Sequence, residues 1–153
     1  MLNIMAIVRA VLGILIGIGY GVLVGAVTLQ LMQLTYDPRY PGAMIPDAAG
    51  WARLTAFFAA VMTGFFGMLV GVVVGVARPG ATRGAVIGVS FGLGMFLMLT
   101  VWAFADQWSW LMREPAHVGR ILLIQATSFF VAFPIGLALV GWVTGLITTK
   151  LKS

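Results

Sequence analysis

Charged residues divide the chain into four long uncharged runs. The runs cover positions 10–36, 54–77, 84–105 and 121–149. A helix needs about 20 apolar residues to cross roughly 30 Å of hydrocarbon, so each run is long enough for one crossing and too short for two. None of the runs alternates polar and apolar residues with a period of two, which disfavours membrane-spanning strands. The pattern predicts four transmembrane helices at about 8–34, 52–77, 83–106 and 119–149.

The composition agrees with an integral membrane protein and excludes the soluble classes. Hydrophobic residues make up 61% of the 153 residues and charged residues 8%, whereas an ordinary soluble domain is about 25% charged. A soluble fold of this length buries only about 70% of the surface that its chain exposes, so it could not hide this much apolar surface. We therefore expect one all-α membrane domain over residues 1–153, embedded in the lipid bilayer as a four-helix bundle.

Positive charge is concentrated at one end of the predicted bundle. That end carries five positive residues and no negative ones: Arg9, Arg78, Arg83, Lys150 and Lys152. The opposite end holds four charges of each sign. An excess of Lys and Arg in short loops marks the cytoplasmic face. We expect both termini to be cytoplasmic, in a bacterial inner membrane, and the net charge of +5 then requires no nucleic-acid partner.

The two halves of the chain resemble each other. Each half opens with an arginine followed by G-x-x-x-G-x-G, with one inserted residue: Arg9, Gly13, Gly17 and Gly19 against Arg83, Gly88, Gly92 and Gly94. In the returning helices, Gly71 and Gly75 match Gly141 and Gly145 at an offset of 70. The pattern predicts two parallel repeated hairpins, 1–78 and 79–153, related by a pseudo-two-fold axis along the membrane normal. Chance alignment of glycine-rich segments is the alternative.

Glycine stripes are the main packing signal. Glycines spaced four residues apart let two helix backbones approach closely in lipid. The residues expected to pack helices are Gly13, Gly17, Gly21, Gly25, Gly67, Gly71, Gly75, Gly84, Gly88, Gly92, Gly141 and Gly145. Helix one contains no phenylalanine, so we expect it to be slim and central, with its glycines against Gly88 and Gly92 of helix three. A pore lined by glycine backbone is the functional alternative.

Two segments predict local departures from straight helices. Pro134 removes a backbone donor inside the fourth helix, which predicts a kink near 130–134. The tryptophan-rich segment 106–113 is compatible with a short helix that lies flat at the interface.

Polar residues near the outer boundary form the candidate binding sites. A pocket for a quinone head or a lipid headgroup would use Gln30, Gln33, Arg53, Asp106, Arg120 and Gln125. Ordinary boundary polarity with hydrogen bonds between helices is the alternative. The only histidine, His117, is a candidate haem or pigment ligand in the second outer loop, or simply a solvated residue. One histidine and no cysteine predict no intrinsic metal or covalent cofactor, but lipid, quinone or pigment could bind at the surface.

The middle of the predicted helices contains no Asp, Glu, Lys, Arg or His. Ion-coupled transporters generally keep an ionisable residue at this depth, and an intramembrane hydrolase needs a nucleophile with an acid–base partner. The architecture resembles the four-helix proteolipid of rotary ATPases, but segments 62–74 and 131–143 lack that family's mid-helix carboxylate. We expect a non-enzymatic accessory subunit of a respiratory or photosynthetic membrane complex, with other integral membrane subunits as partners. A small homo-oligomeric channel, holin or passive transporter is the alternative.

Overall fold

The part of the chain that the structure describes is almost entirely helical. The computed structural model describes residues 4–35, 48–77, 80–113 and 115–151. The helices are α1 (Ile4–Thr35), α2 (Ala48–Ala77), α3 (Ala81–Arg113), α4 (Pro115–Phe130) and α5 (Gly136–Lys150). A five-residue π-helical turn, Val131–Ile135, joins α4 to α5 and is called the π-turn below.

Four stretches of these helices are long and apolar enough to cross a membrane. They are Ile4–Leu31, Arg53–Ala77, Ala81–Ser109 and Ala126–Lys150. Each stretch overlaps one of the four predicted helices, so the prediction of a four-span helical membrane protein is confirmed. In hydrocarbon the backbone N–H and C=O groups must find partners within the chain, and a helix supplies them locally.

Several helices extend beyond their predicted ends. Helix α3 continues unbroken to Arg113, so residues 106–113 belong to it and form no separate interfacial helix. Helix α4 begins at Pro115, a residue suited to a first helical turn because it has no N–H to satisfy. His117 therefore lies in a helix rather than in the predicted loop. At the predicted kink the structure has the π-turn, which contains Pro134.

The glycine stripe of α1 packs against α2. A Cβ added at Gly13 or Gly17 would collide with the backbone of α2. The facing pairs are Gly13 with Gly71, Gly17 with Gly67, Gly21 with Gly64 and Gly25 with Ala60. The prediction that this stripe lies against Gly88 and Gly92 of α3 is wrong. Helices α1 and α2 follow each other in sequence and both carry small residues at four-residue spacing, so the adjacent helix offers a matching smooth face.

Helix α1 is peripheral, which corrects the expectation that it is central. Its outward face exposes large apolar side chains such as Leu15, Val22 and Leu23. Only 22% of its most apolar 18-residue stretch is buried inside the bundle, compared with 44% for the corresponding stretch of the fourth span. The absence of phenylalanine makes α1 slim, and this slimness permits its close approach to one helix, α2.

Helix α3 packs against α5 and the π-turn through its own glycines. The facing pairs are Gly84 with Gly141, Gly88 with Leu137 and Gly92 with Phe133. At the start of α3, the carbonyl of Gly80 faces Gly145 and accepts a hydrogen bond from the N–H of Gly84 at 2.9 Å. Gly80 has φ of 85°, a left-handed conformation that glycine adopts without steric cost.

Both hairpins use the same packing register. In the first hairpin positions 9, 13 and 17 face 75, 71 and 67, and in the second 80, 84 and 88 face 145, 141 and 137. Adding 71 to the first-helix positions and 70 to the second-helix positions converts one set into the other. The glycine pattern of the sequence makes Gly13 equivalent to Gly88. The packing instead makes Gly13 equivalent to Gly84, which lies about one helical turn earlier. Four-residue glycine spacing looks the same after a shift of one turn.

The centre of the bundle is formed by α2, the fourth span and Met95 of α3. The buried apolar side chains that meet there are Val70, Val74, Met95, Phe133, Leu137 and Val140. Ile16 and Tyr20 extend from α1 to pack against this cluster. The two hairpins are thus joined along α2 and α5, with α1 and α3 on the outside.

Candidate functional site

A tyrosine joins the first hairpin to the π-turn. The hydroxyl of Tyr20 donates a hydrogen bond to the carbonyl oxygen of Ala132. In a regular α-helix that carbonyl would accept the N–H of Gly136, but here the Gly136 N–H reaches the carbonyls of Phe133 and Val131 instead. The Tyr20 ring also occupies the space that a side chain at Gly136 would need. The π-turn therefore presents a backbone acceptor to a side chain of another helix.

An open apolar cleft of about 480 Å³ lies between α2 and α3. Its walls are Phe66 of α2 and Ser90, Phe91, Gly94, Met95 and Met98 of α3. The Phe66 ring packs edge-to-face against Phe133 of the π-turn, with ring centroids 6.2 Å apart. One wall of the cleft is therefore in contact with the π-turn that Tyr20 holds.

The α3 wall of the cleft is smooth and apolar. Gly94 has open space where a Cβ would stand, unlike Gly88 and Gly92, which face the fourth span. Ser90 lies one helical turn earlier and is also exposed. Its hydroxyl donates to the carbonyl of Val86 in the same helix at 2.9 Å, so it adds little polarity to the surface. The wall can accept an apolar partner at close range.

Three of the predicted outer polar residues have described side chains, and all three lie at the surface. Gln30, Arg53 and Asp106 are all exposed. Four further candidates lie on helices, but their side chains are outside the described part: Gln33, His117, Arg120 and Gln125. The described side chains are thus placed at the surface of three different helices.

Some hydroxyl groups inside the spans are used within their own helices. Thr28 donates to the carbonyl of Val24 at 2.8 Å, and Thr63 to that of Ala59 at 2.6 Å. Such bonds four residues back satisfy the hydroxyl locally. Among the described residues no group of three or more His, Cys, Asp or Glu side chains could hold a metal ion.

Sequence reasoning missed the roles of Tyr20 and of the cleft. Tyr20 is the only tyrosine within the four spans, and a buried phenol usually finds a hydrogen-bond partner, so a signal was present. Its partner could not be foreseen because Ala132 offers only a backbone carbonyl. The cleft depends on how α2 and α3 are placed relative to each other, which leaves no periodic trace in the sequence.

These features fit a multi-pass helical membrane protein with an open apolar cleft between its two hairpins. A comparison of the chain with protein-family models, with curated proteins and with solved structures finds no match.

Proposed function

We propose that this protein is a non-catalytic accessory subunit of a larger membrane complex, whose cleft between α2 and α3 receives a transmembrane helix of a partner subunit. The observation that carries the proposal is the open surface at Gly94 and Ser90. In lipid, helix association depends on close packing, and small residues four positions apart allow it. Elsewhere in α1 and α3 the glycines with this spacing each face another helix.

The chemistry of the cleft favours an apolar helix over a polar ligand. Met95 and Met98 line it, and methionine side chains adapt to irregular apolar surfaces. The hydroxyl of Ser90 is already bonded within α3, so it does not orient a polar headgroup. Side chains from a neighbouring helix would fill the volume and cover Gly94.

We further propose an orientation and a host membrane. Arg83 and Lys150 are exposed at the end of the bundle where the sequence places an excess of positive charge, which supports cytoplasmic termini. A bacterial inner membrane and an energy-transducing complex are the proposed setting. The shared packing register of the two hairpins supports an internal repeat.

The test is a comparison of two glycine variants in cells. Gly94→Leu fills the cleft, whereas Gly19→Leu places the same side chain in open space on α1 and serves as the control. Both sites are exposed, so neither variant disturbs the internal packing. Tagged chains extracted in gentle detergent are analysed by native mass spectrometry. We expect the wild type and Gly19→Leu to carry the same unlike membrane subunits in a fixed ratio, and Gly94→Leu to lose them.

Two results would contradict the proposal. If Gly94→Leu keeps its partners at the wild-type ratio, the cleft is not the docking surface. If the wild-type chain is found only as multimers of itself, the accessory role is wrong, and a homo-oligomeric channel, holin or passive transporter becomes the better explanation.

A further inference from the structure

One arginine is buried inside the bundle without its hydrogen-bond partners. The Arg9 side chain is only 2% exposed, and its Nε and Nη1 atoms meet no acceptor. Arg9 lies on the same face of α1 as Ile16 and Tyr20, which point into the central cluster. It also lies beside the last turn of α2, since a Cβ on Gly75 would stand 2.7 Å from the Arg9 carbonyl oxygen.

Other buried polar groups lie at the same level of the bundle. The contact between Tyr20 and Gly136 gives a common reference level on α1 and α5. Arg9 lies about three helical turns before Tyr20 on α1, and Thr148 lies about three turns after Gly136 on α5. Because α1 and α5 run in opposite directions, Arg9 and Thr148 come to the same end. Thr144 and Thr148 are both buried there, and the Thr144 hydroxyl also lacks a hydrogen-bond partner.

No acidic residue is close to Arg9 in sequence, and among the described residues none lies at the same end of the helices. Asp106 lies toward the opposite end of α3, and the other acidic residues come after α1, before α2 and after α3 in sequence: Asp37, Asp47 and Glu114. The nearby charges on described residues, Arg83 and Lys150, are also positive. The C-terminal end of α2 favours a cation through its dipole, but this leaves Nε and Nη1 of Arg9 without acceptors.

We propose that Arg9 binds the phosphate group of an anionic membrane phospholipid at this end of the bundle. A guanidinium is suited to phosphate because its planar array of N–H donors matches the phosphate oxygens. Side chains of an α-helix generally lean toward its N-terminal end, and for Arg9 this is the end of the membrane span where headgroups lie. The surrounding positive charges attract anionic lipid to the same place.

This binding site is separate from the cleft, and it can be tested without any partner subunit. The full chain, stripped of lipid in a detergent without phosphate, is titrated with phosphatidylglycerol while its melting temperature is followed. Matched titrations use a phosphate-free glycolipid and inorganic phosphate. We expect phosphatidylglycerol to raise the melting temperature, and the two other additions to leave it unchanged.

The variants locate the site. Arg9→Gln should weaken the response to phosphatidylglycerol by about tenfold in lipid concentration, because charge-assisted hydrogen bonds are lost. Arg83→Gln removes an exposed positive charge at the same end and should stay close to the wild type. If Arg9→Gln does not fold, Arg9→Lys takes its place, since it keeps the charge but loses the planar donors.

Each other result overturns the proposal. A wild-type chain that does not respond to phosphatidylglycerol has no such site, and the α2 terminus alone then balances Arg9. An equal response to inorganic phosphate assigns the site to free phosphate rather than to lipid. If Arg9→Gln, or Arg9→Lys in its place, responds to lipid as the wild type does, the lipid binds elsewhere on the protein. If Arg9 does not respond to lipid but becomes protected in the assembled complex, its partner is a carboxylate of another subunit.

Discussion

The hydroxyl of Tyr20 and the carbonyl oxygen of Ala132 form a hydrogen bond across 112 residues of sequence. It joins α1 to the π-turn, where Ala132 does not receive the N–H of Gly136. In an apolar interior an acceptor without a partner is costly. The bond therefore fixes the first hairpin against the most irregular segment of the second.

Removing this hydroxyl should weaken the contact between the hairpins. We expect Tyr20→Phe to lower the free energy of unfolding by about 1–2 kcal/mol, because the Ala132 carbonyl is left unsatisfied. Unfolding in mixed detergent micelles measures the change. Ser90→Ala is the control, since its hydroxyl bonds only within α3. An equal effect of both substitutions would show that the interhelical bond contributes nothing specific.

The close contact between the Tyr20 ring and Gly136 makes a second prediction. A methyl group at Gly136 would collide with the ring, so Gly136→Ala should be destabilising in the wild-type chain. In a Tyr20→Ala background the ring is absent and the same substitution should cost less. A double-mutant cycle should therefore give a coupling energy of about 1 kcal/mol. Additive effects would mean that the two residues do not share a contact in the membrane.

The hairpin interface can be tested with two glycines that lie close together on α1. A Cβ at Gly17 would collide with the backbone of α2, whereas a Cβ at Gly19 meets open space. Gly17→Ala should lower the free energy of unfolding by about 1–3 kcal/mol through overpacking, and Gly19→Ala should cause no loss. Melting temperatures of the purified variants measure the difference. A harmless Gly17→Ala would place the stripe away from α2.

The proposed orientation is accessible to chemical labelling because the chain has no cysteine of its own. Thr82 and Ser109 are exposed at opposite ends of α3. With cytoplasmic termini, an impermeant thiol reagent added to intact cells should label Ser109→Cys and leave Thr82→Cys unlabelled. Labelling after cell lysis controls for reactivity at both sites. The reverse pattern in intact cells would invert the topology.

The number and place of the membrane spans follow from the sequence because they depend on local quantities. The length of an uncharged apolar run and the thickness of the hydrocarbon decide whether a segment crosses. Pro134 likewise marks an irregularity by its own chemistry. Of the residues of the predicted outer pocket, Gln30, Arg53 and Asp106 lie exposed on three different helices. Boundary polarity alone does not specify which side chains converge.

The sequence by itself determined a four-span helical bundle with glycine faces for close packing. Only the tertiary structure decided that Gly13 faces Gly71 rather than Gly88, that Arg9 is buried, and that Tyr20 reaches Ala132. The physical reason is that glycine stripes on different helices are nearly equivalent surfaces, so each fits several partners. The choice among them rests on the combined shape of all four spans and on backbone groups, such as the Ala132 carbonyl, that every residue type shares.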